Sequence, residues 1–372
     1  MASLRDKLRA TAPKADKLIK PVAQDCYVKE CRYPMNAFKL EEQLSGSLLS
    51  LMQGKEYGDF SREDICFLDT ETTGLSHGAG TVAFLVGVGF FEENAFVVRQ
   101  YLMRDYDEEA FVLKRTAEDI QKCKVLCTFN GATFDIPLLD VRFTMQRMRD
   151  LLPARPHLDL LPTARRVWKL RLKKCNLGAL EQAVLGMERV DDLPGAMVPE
   201  RYFSFLKTKD FSLLEDILEH NEQDIVSLAH ILHRLLTLHE LPLSAPAAED
   251  IFCLGRIYEK RGKMEGARMC YRAADKGAVS AMARARMAET FRREGDFEEA
   301  ARVYERMIAS RQGGTGPLIA MAKICEHRKR DILKAIEYTR KAIILAADNC
   351  RDDEMAALQK RYQRLLCKAR RD

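Results

Sequence analysis

Two carboxylates, Asp69 and Glu71, stand two residues apart in the run ICFLDTETTGL. The apolar residues 65–68 before them are typical of a buried strand, and side chains two apart on a strand point to the same face. Like charges that close either raise a carboxyl pKa or recruit a cation. Carboxylate oxygens suit Mg²⁺ or Mn²⁺. Two exposed acids in a loop are the alternative interpretation, so a metal site needs partners elsewhere in the chain.

Three further side chains of suitable chemistry occur later. Asp135 follows the Asn130–Gly131 turn in VLCTFNGATFDIPLL, among apolar neighbours. His220 and Asp224, in EHNEQDIVSL, are four residues apart, which puts both on one face of a helix. Each has a structural alternative, because Asp135 could be a helix N-terminal residue favoured by the helix dipole and a single His or Asp on a helix is usually solvated.

The elements that must position these side chains follow an α/β pattern. Strands are predicted at 65–69, 81–91, 95–103 and 125–129, and helices at 108–123 and 133–148. The remainder to residue 238 is predicted to be largely helical. This order indicates a mixed sheet flanked by helices. No GxGxxG or Walker sequence supports a doubly wound nucleotide-binding fold.

Composition bounds the class of protein. The 372 residues, 47% of them hydrophobic, are enough for two or three globular domains. The longest apolar stretch, residues 81–91, is too short to cross a bilayer, and no secretion signal is recognisable, so we expect no membrane partner. The eleven cysteines include no CxxC pair, which favours reduced thiols and a cytoplasmic location. A net charge of +5 permits a polyanionic partner without requiring one.

The chain is expected to have three segments. Residues 1–60 read as an N-terminal extension of uncertain order, and residues 61–240 as the α/β domain. The stretch 239–250, HELPLSAPAAED, is the best linker candidate because of its two prolines and small residues. Residues 250–372 are expected to form an all-α domain of helical repeats.

The repeats are visible as a pattern that recurs after 33 residues. Leu254, Gly255, Tyr258, Ala267, Tyr271 and Ala274 return as Met287, Ala288, Phe291, Ala300, Tyr304 and Met307, and a looser third copy contains Ala322, Cys325, Ala335 and Ala342. Small residues at fixed points let two amphipathic helices approach closely, and the aromatic residues fill the gap between them. The pattern resembles the tetratricopeptide repeat, whose period is about 34 residues. Unrelated amphipathic helices are the alternative.

The motifs DTETTG, FNGATFD and HNEQD, in this order, resemble the three exonuclease motifs of the DEDD superfamily, which has a ribonuclease H-like fold. The best match is the YprB-type ribonuclease H-like family, in which such a domain can be joined to tetratricopeptide repeats. The resemblance covers about residues 62–240. It implies a 3′→5′ exonuclease acting on DNA or RNA.

The resemblance also implies residue roles. Asp69, Glu71, Asp135 and Asp224 correspond to the four metal-binding carboxylates, and His220 corresponds to the general base. Two Mg²⁺ or Mn²⁺ ions about 3.5–4 Å apart can activate a water molecule and stabilise both oxygens of an in-line phosphodiester displacement. A neutral imidazole can accept the proton of that water near pH 7.

The position of His220 departs from the pattern of this superfamily. The subgroup with His usually has it five residues before the last Asp, whereas the subgroup with Tyr has Tyr four residues before. Here His220 precedes Asp224 by four residues. We retain the catalytic assignment, and the alternative is that His220 only orients a water molecule or a phosphate.

Several residues near these motifs are candidates for contacts with nucleic acid. They are Thr72, Thr73, Leu75 and Asn130, and the basic residues Arg165, Arg166, Lys169, Arg171, Lys173 and Lys174. A basic run can bind a phosphate backbone, and the alternative is a solvated helix face. Trp168, within this run, is expected in the core. Asp159 is expected either to support the site or to cap a helix.

Two functions from different classes remain after this reading. The first is a metal-dependent nuclease whose repeats bind a protein segment or extend the nucleic-acid track. The second is a scaffold that binds nucleic acid without cutting it and recruits a partner through its repeats. The presence of all four acids favours the enzyme.

Overall fold

A six-stranded mixed sheet lies at the centre of the first of two units, Met1–Glu240. Within the chain, the computed structural model describes residues 25–74, 80–189, 193–348 and 352–370. The strands of this sheet are β1 (Tyr27–Pro34), β2 (Ile65–Thr72), β3 (Ala83–Glu92), β4 (Ala95–Leu102), β5 (Val125–Thr128) and β6 (His157–Asp159). Their spatial order is β1-β4-β3-β2-β5-β6.

The sheet is antiparallel on one side and parallel on the other. β2, β3, β4 and β1 pair antiparallel, whereas β5 pairs parallel with β2 and β6 pairs parallel with β5. Residues 65–68, which precede Asp69, are apolar because β2 is a central strand in which they are fully buried. The predicted mixed sheet flanked by helices is therefore confirmed. The short strand β6 falls in a stretch that was predicted to be largely helical.

Seven helices described in this unit surround the sheet. They are α1 (Gly46–Gln53), α2 (Glu109–Ile120), α3 (Asp135–Met145), α4 (Leu160–Leu172), α5 (Leu177–Leu180, continued by a π-helical turn at Glu181–Leu185), α6 (Val198–Thr208) and α7 (Ser212–Glu240). The long helix α7 packs on β2, β3 and β4. Gly87 and Gly89 of β3 permit this close approach, because a Cβ at either position would overlap Asn221 or Ile225 of α7.

The N-terminal segment is the first correction to the sequence analysis. Of residues 1–60, expected to be an extension of uncertain order, 27–34 form the edge strand β1. This strand is tied to α7, because Glu222 accepts hydrogen bonds from Lys29 Nζ (2.6 Å) and the hydroxyl of Tyr33. The sheet therefore includes chain on the N-terminal side of the predicted boundary.

The second unit, Leu241–Asp372, is all helical where it is described. Its helices are α8 (Ala248–Lys260), α9 (Met264–Ala273), α10 (Ser280–Arg293), α11 (Phe297–Ala309), α12 (Gly316–Ile324), α13 (Ile332–Asp348) and α14 (Asp352–Ala369). Each helix packs on the next. A Cβ at Gly255 would meet the Tyr271 ring at 2.8 Å, which explains the small residue of the repeat pattern.

The connection between the units is shorter than the predicted linker. His239 and Glu240 still belong to α7, His239 is fully buried, and α8 starts at Ala248. The predicted linker thus overlaps helix at both of its ends.

Candidate active site

The carboxylates Asp69 and Glu71 lie near the end of the central strand β2, on one face. Asp69 is half-buried and the Glu71 side chain is 15% exposed. The register against β3 shifts between Glu71 and Thr72. This irregularity ends regular pairing directly after the two acids, so they stand where the sheet opens to the surface.

The helix α7 brings the second pair of predicted residues to this strand. His220 Nε2 lies 3.6 Å from Asp224 Oδ2 and 4.0 Å from Glu71 Oε1. Asn221 Nδ2, on the same helix, donates to Asp69 Oδ2 at 2.9 Å. Residues about 150 positions apart in sequence thereby form one acidic cluster, which also contains a histidine.

Asp135 is the first residue of α3 and is buried. Its Oδ1 accepts a hydrogen bond from Thr70 Oγ1 at 2.6 Å. Thr70 stands between Asp69 and Glu71, so the strand that carries the first two acids also orients the third. Asp135 therefore occupies the N-terminal position of a helix, as the structural alternative predicts, and it also contacts the strand that carries Asp69 and Glu71.

Burial raises the pKa of all four acids, and repulsion from the other acids of the cluster raises the pKa of Asp69 and Glu71 further. Burial, followed by the charges of Asp224 and Asp135, raises the pKa of Glu71 to about 8. Burial raises the pKa of Asp135 to about 6. Asp69, through burial and its three acidic neighbours, and Asp224, through burial, have a raised pKa as well. Such a cluster is stabilised by a cation.

One cation of the chain already contacts the cluster. The Arg189 guanidinium donates to Asp224 Oδ1 and lies 2.9 Å from His220 Nδ1 through Nη1. Its other edge pairs with Glu181, at 2.5 Å from Nε to Oε2 and 2.8 Å from Nη2 to Oε1. Sequence reasoning missed Arg189 and Glu181, and no motif in the surrounding sequence marks them.

The acids suit a hard divalent ion by their chemistry, since all four offer carboxylate oxygens and their charges disfavour each other. As the side chains stand, no three or more Asp, Glu, His or Cys residues of the described segments form a ready metal-binding group. The four acids therefore have the right chemistry to bind a divalent ion, but their side chains must move to coordinate it. They are Asp69, Glu71, Asp135 and Asp224.

A cleft of about 740 Å³ opens beside Asp69 and Asp224. Its other lining residues are Phe129, Asn130, Leu161, Arg165, Lys169, Lys173, Lys174, Cys175, Asn176 and Leu177. Five predicted nucleic-acid contacts thus share one cleft with two of the acids. Asn130 has a left-handed backbone (φ 71°), which shapes the turn that borders the cleft.

Asp159 holds this turn. Its carboxylate accepts from the backbone N–H groups of Asn130 (2.9 Å) and Ala132 (3.2 Å). It also caps α4 by accepting from the N–H of Leu161 at 3.1 Å. Asp159 therefore caps a helix and also holds the turn that borders the cleft, so the two interpretations of this residue are compatible.

Other predicted contacts lie elsewhere. Arg166 is a correction, because its Nη2 donates to Met52 O (2.8 Å) and to Thr163 Oγ1 (2.7 Å), which turns the guanidinium toward α1 instead of the cleft. The hydroxyl of Thr72 donates to Gly74 O and that of Thr73 accepts from Val82 N–H, so both hold the chain after β2.

Two residues complete this account. Trp168, expected in the core, is 1% exposed. Leu75 lies outside the described residues.

Comparison with known proteins agrees with this architecture. The RNase_H superfamily profile matches residues 66–236, and a tetratricopeptide repeat profile matches residues 283–318. Residues 66–236 are therefore similar to the ribonuclease H superfamily, and residues 283–318 are similar to a tetratricopeptide repeat. This confirms the predicted resemblance and the predicted order of the two parts.

Two similar proteins extend the comparison. The uncharacterized protein YprB of Bacillus subtilis (strain 168) is 29% identical over 344 residues, which cover 87% of this chain and 81% of YprB. The family B DNA polymerase of the archaeon Pyrobaculum calidifontis aligns over 56% of this chain and 31% of its own, at 14% identity and a TM-score of 0.38. That likeness is too distant to bear on the activity. None of the helices described has the length and apolarity needed to cross a bilayer.

Proposed function

We propose that the ribonuclease H-like domain is a metal-dependent nuclease that hydrolyses phosphodiester bonds from the 3′ end of DNA or RNA. The observation that supports this proposal is the approach of Glu71, His220 and Asp224 to one another beside a basic cleft that Asp69 and Asp224 line. Asp69 and Asp224, which line this cleft, both have a raised pKa, and strongly perturbed carboxyl groups in a cleft are typical of functional sites.

In this proposal, different residues of the chain bind the metal ions, orient the metal ligands and contact the substrate. Asp69, Glu71, Asp135 and Asp224 would hold Mg²⁺ or Mn²⁺, and bound ions supply charge stabilisation and an activated water molecule. Asn221 and Thr70 orient Asp69 and Asp135 through the hydrogen bonds described above. Arg165, Lys169, Lys173 and Lys174 neutralise backbone phosphates in the cleft.

His220 is the proposed general base. Its Nε2 faces Glu71 and Asp224, where an attacking water molecule would be held. A base must lie within hydrogen-bonding reach of that water. The i,i+4 spacing from Asp224, unusual for the His-bearing subgroup, is compatible with this position because it keeps both side chains over β2.

The repeat unit is proposed to bind a protein partner, as stacked helical repeats commonly present an extended surface. We assign it no catalytic role. We also propose a cytoplasmic location, on the basis of the cysteine pattern.

The test uses 5′-labelled single-stranded and duplex DNA and RNA with Mg²⁺, Mn²⁺ or a chelator. The wild-type protein should give a ladder that shortens from the 3′ end only with a divalent ion, and Asp69→Asn should lose this activity. The matched control is Glu56→Gln, an exposed acid of the same unit. Intact substrate under every condition, together with retained binding, would establish the non-catalytic scaffold instead.

A further inference from the structure

Arg189 has contacts that the proposed reaction does not yet use. Its guanidinium bridges Glu181, Asp224 and His220. Glu181 is fully buried and accepts a further hydrogen bond from Ser227 of α7. The arginine is thus fixed on one edge by a buried carboxylate and presents its remaining N–H groups to the acidic cluster.

The first consequence concerns Asp224. Its Oδ1 is engaged by Arg189 Nη2, while Oδ2 faces His220 Nε2 at 3.6 Å. A divalent ion that binds Oδ1 must displace this N–H donor, or share the oxygen with a full positive charge beside it. In either case the guanidinium opposes the ion.

The second consequence concerns His220. A guanidinium has N–H donors and no acceptor, so the Nδ1 that Arg189 contacts at 2.9 Å must offer a lone pair. In a neutral imidazole the proton then lies on Nε2, the atom that faces Glu71 and Asp224. As placed, His220 donates toward the acids, and it can accept a proton at Nε2 only after the proton moves to Nδ1.

We propose that Arg189 is a positioning residue that competes with a divalent cation for Asp224 and holds His220 in the Nε2–H tautomer. The inference rests on the proposed function, because it assigns Asp224 as a metal ligand. The acidic centre is then balanced by a cation of its own chain until an ion takes the place of Nη2. Release of this contact frees both the ligand oxygen and the Nδ1 lone pair.

The test is the affinity for Mn²⁺, measured by isothermal titration calorimetry without substrate. The variant E181Q/R189M removes both charges of the Glu181–Arg189 pair, so Glu181 is not left as an unpaired buried charge, and it should bind Mn²⁺ about tenfold more tightly than wild type. The matched control is E109Q/R142M, which removes a similarly buried pair (2.5 Å between Arg142 Nε and Glu109 Oε1) away from the centre and should leave the affinity unchanged. Equal or weaker binding by E181Q/R189M, or no Mn²⁺ binding by any variant, overturns the inference.

A second measurement does not depend on the two double variants folding. Nitrogen-15 NMR of the wild-type protein, with the His220 signals identified by their loss in His220→Gln, should show a protonated Nε2 and an unprotonated Nδ1. The opposite tautomer overturns the inference. Asp69→Asn separates this result from the proposed function: if its Mn²⁺ binding equals that of wild type, the metal assignment fails, whereas weakened binding with an unchanged E181Q/R189M affinity refutes only the role of Arg189.

Discussion

The acidic cluster of the ribonuclease H-like domain and the repeat unit both contain buried carboxylates, but the surroundings of these carboxylates differ. In the repeat unit, Glu259 is 3% exposed and accepts from the Tyr271 hydroxyl (2.6 Å), Arg286 (2.7 Å) and Arg293 (2.9 Å). In the ribonuclease H-like domain, four acids approach one another. Among the described residues, the basic side chain that comes closest to them is Arg189, which pairs with Asp224.

Glu326 shows the effect on a single group. Burial alone would raise the pKa of Glu326, but hydrogen bonds from Arg364 and the charges of Arg364, His327 and Arg361 bring it below its usual value. Glu71, with acids for neighbours, has a pKa of about 8. Composition follows the same division, since residues 1–240 contain 32 Lys and Arg against 36 Asp and Glu, and residues 241–372 contain 28 against 19.

The difference separates structural from functional acids. A buried acid with several cationic partners is satisfied within the chain and holds helices together. A group of buried acids with too few cations stores unfavourable electrostatic energy, which a ligand of positive charge can relieve. Replacing one acid of each kind should therefore have opposite effects on stability and activity.

The largest effect is expected from Glu71→Gln. Hydrolysis should fall at least about a thousandfold, because metal-assisted charge stabilisation is worth several kcal/mol. Stability should not fall, since burial and Asp224 already disfavour the charged form of Glu71 and glutamine is neutral. The single tryptophan, Trp168, lies in this domain, so urea unfolding followed by its fluorescence reports the domain directly. A lowered urea midpoint would show that Glu71 is a structural acid like those of the repeats.

The converse result is expected from Glu326→Gln. The substitution replaces the carboxylate that accepts from Arg361 and Arg364 with a neutral amide that has one acceptor oxygen. The free energy of unfolding should fall by about 2 kcal/mol, since both guanidinium groups still reach solvent. Far-UV circular dichroism should show a lower urea midpoint, whereas Trp168 fluorescence and hydrolysis should stay unchanged. Glu337→Gln, which breaks an exposed pair with Lys341, is the control and should leave the urea midpoint nearly unchanged. Equal midpoints for the two variants would contradict the structural role of Glu326.

The acids were accessible from the sequence for a physical reason. Asp69 and Glu71 follow a continuous apolar strand, and His220 and Asp224 share a helical face, so periodicity predicts which side chains point the same way. The resemblance of the three ordered motifs to the DEDD superfamily is what implies that they belong to one site. Asn221 is part of the same HNEQD motif, but its bond to Asp69 depends on the approach that Gly87 permits. The local sequence pattern predicts which face of a helix or strand a residue occupies, but it does not predict which residue of another element that face will contact.

The rest of the site depends on contacts between distant segments. Arg189 reaches Asp224 and His220 from 31 to 35 residues away, and its own neighbours carry no periodic signal. The strand β1, YVKECRYP, is an edge strand with partly buried side chains, so it lacks the apolar run that identified β2 and β3. Arg189 and β1 were missed for the same reason, since the structural role of each depends on residues that are distant in the sequence.

The smallest effect is expected for the cations of the cleft, which, within the described segments, form no ion pairs like those of the repeats. Among the described residues, Lys169 of α4 has no Asp or Glu within ion-pair distance, whereas Arg286 and Arg293 are both paired with Glu259. Lys169→Gln should weaken binding of a single-stranded oligonucleotide in chelator and reduce the slope of log affinity against log salt by about 0.7, the value for one phosphate contact. Fluorescence anisotropy at several salt concentrations measures both quantities. Lys114→Gln, an exposed lysine of α2 away from the cleft, should leave the slope unchanged, and an equal loss in the two variants would show that binding follows net charge instead of the cleft.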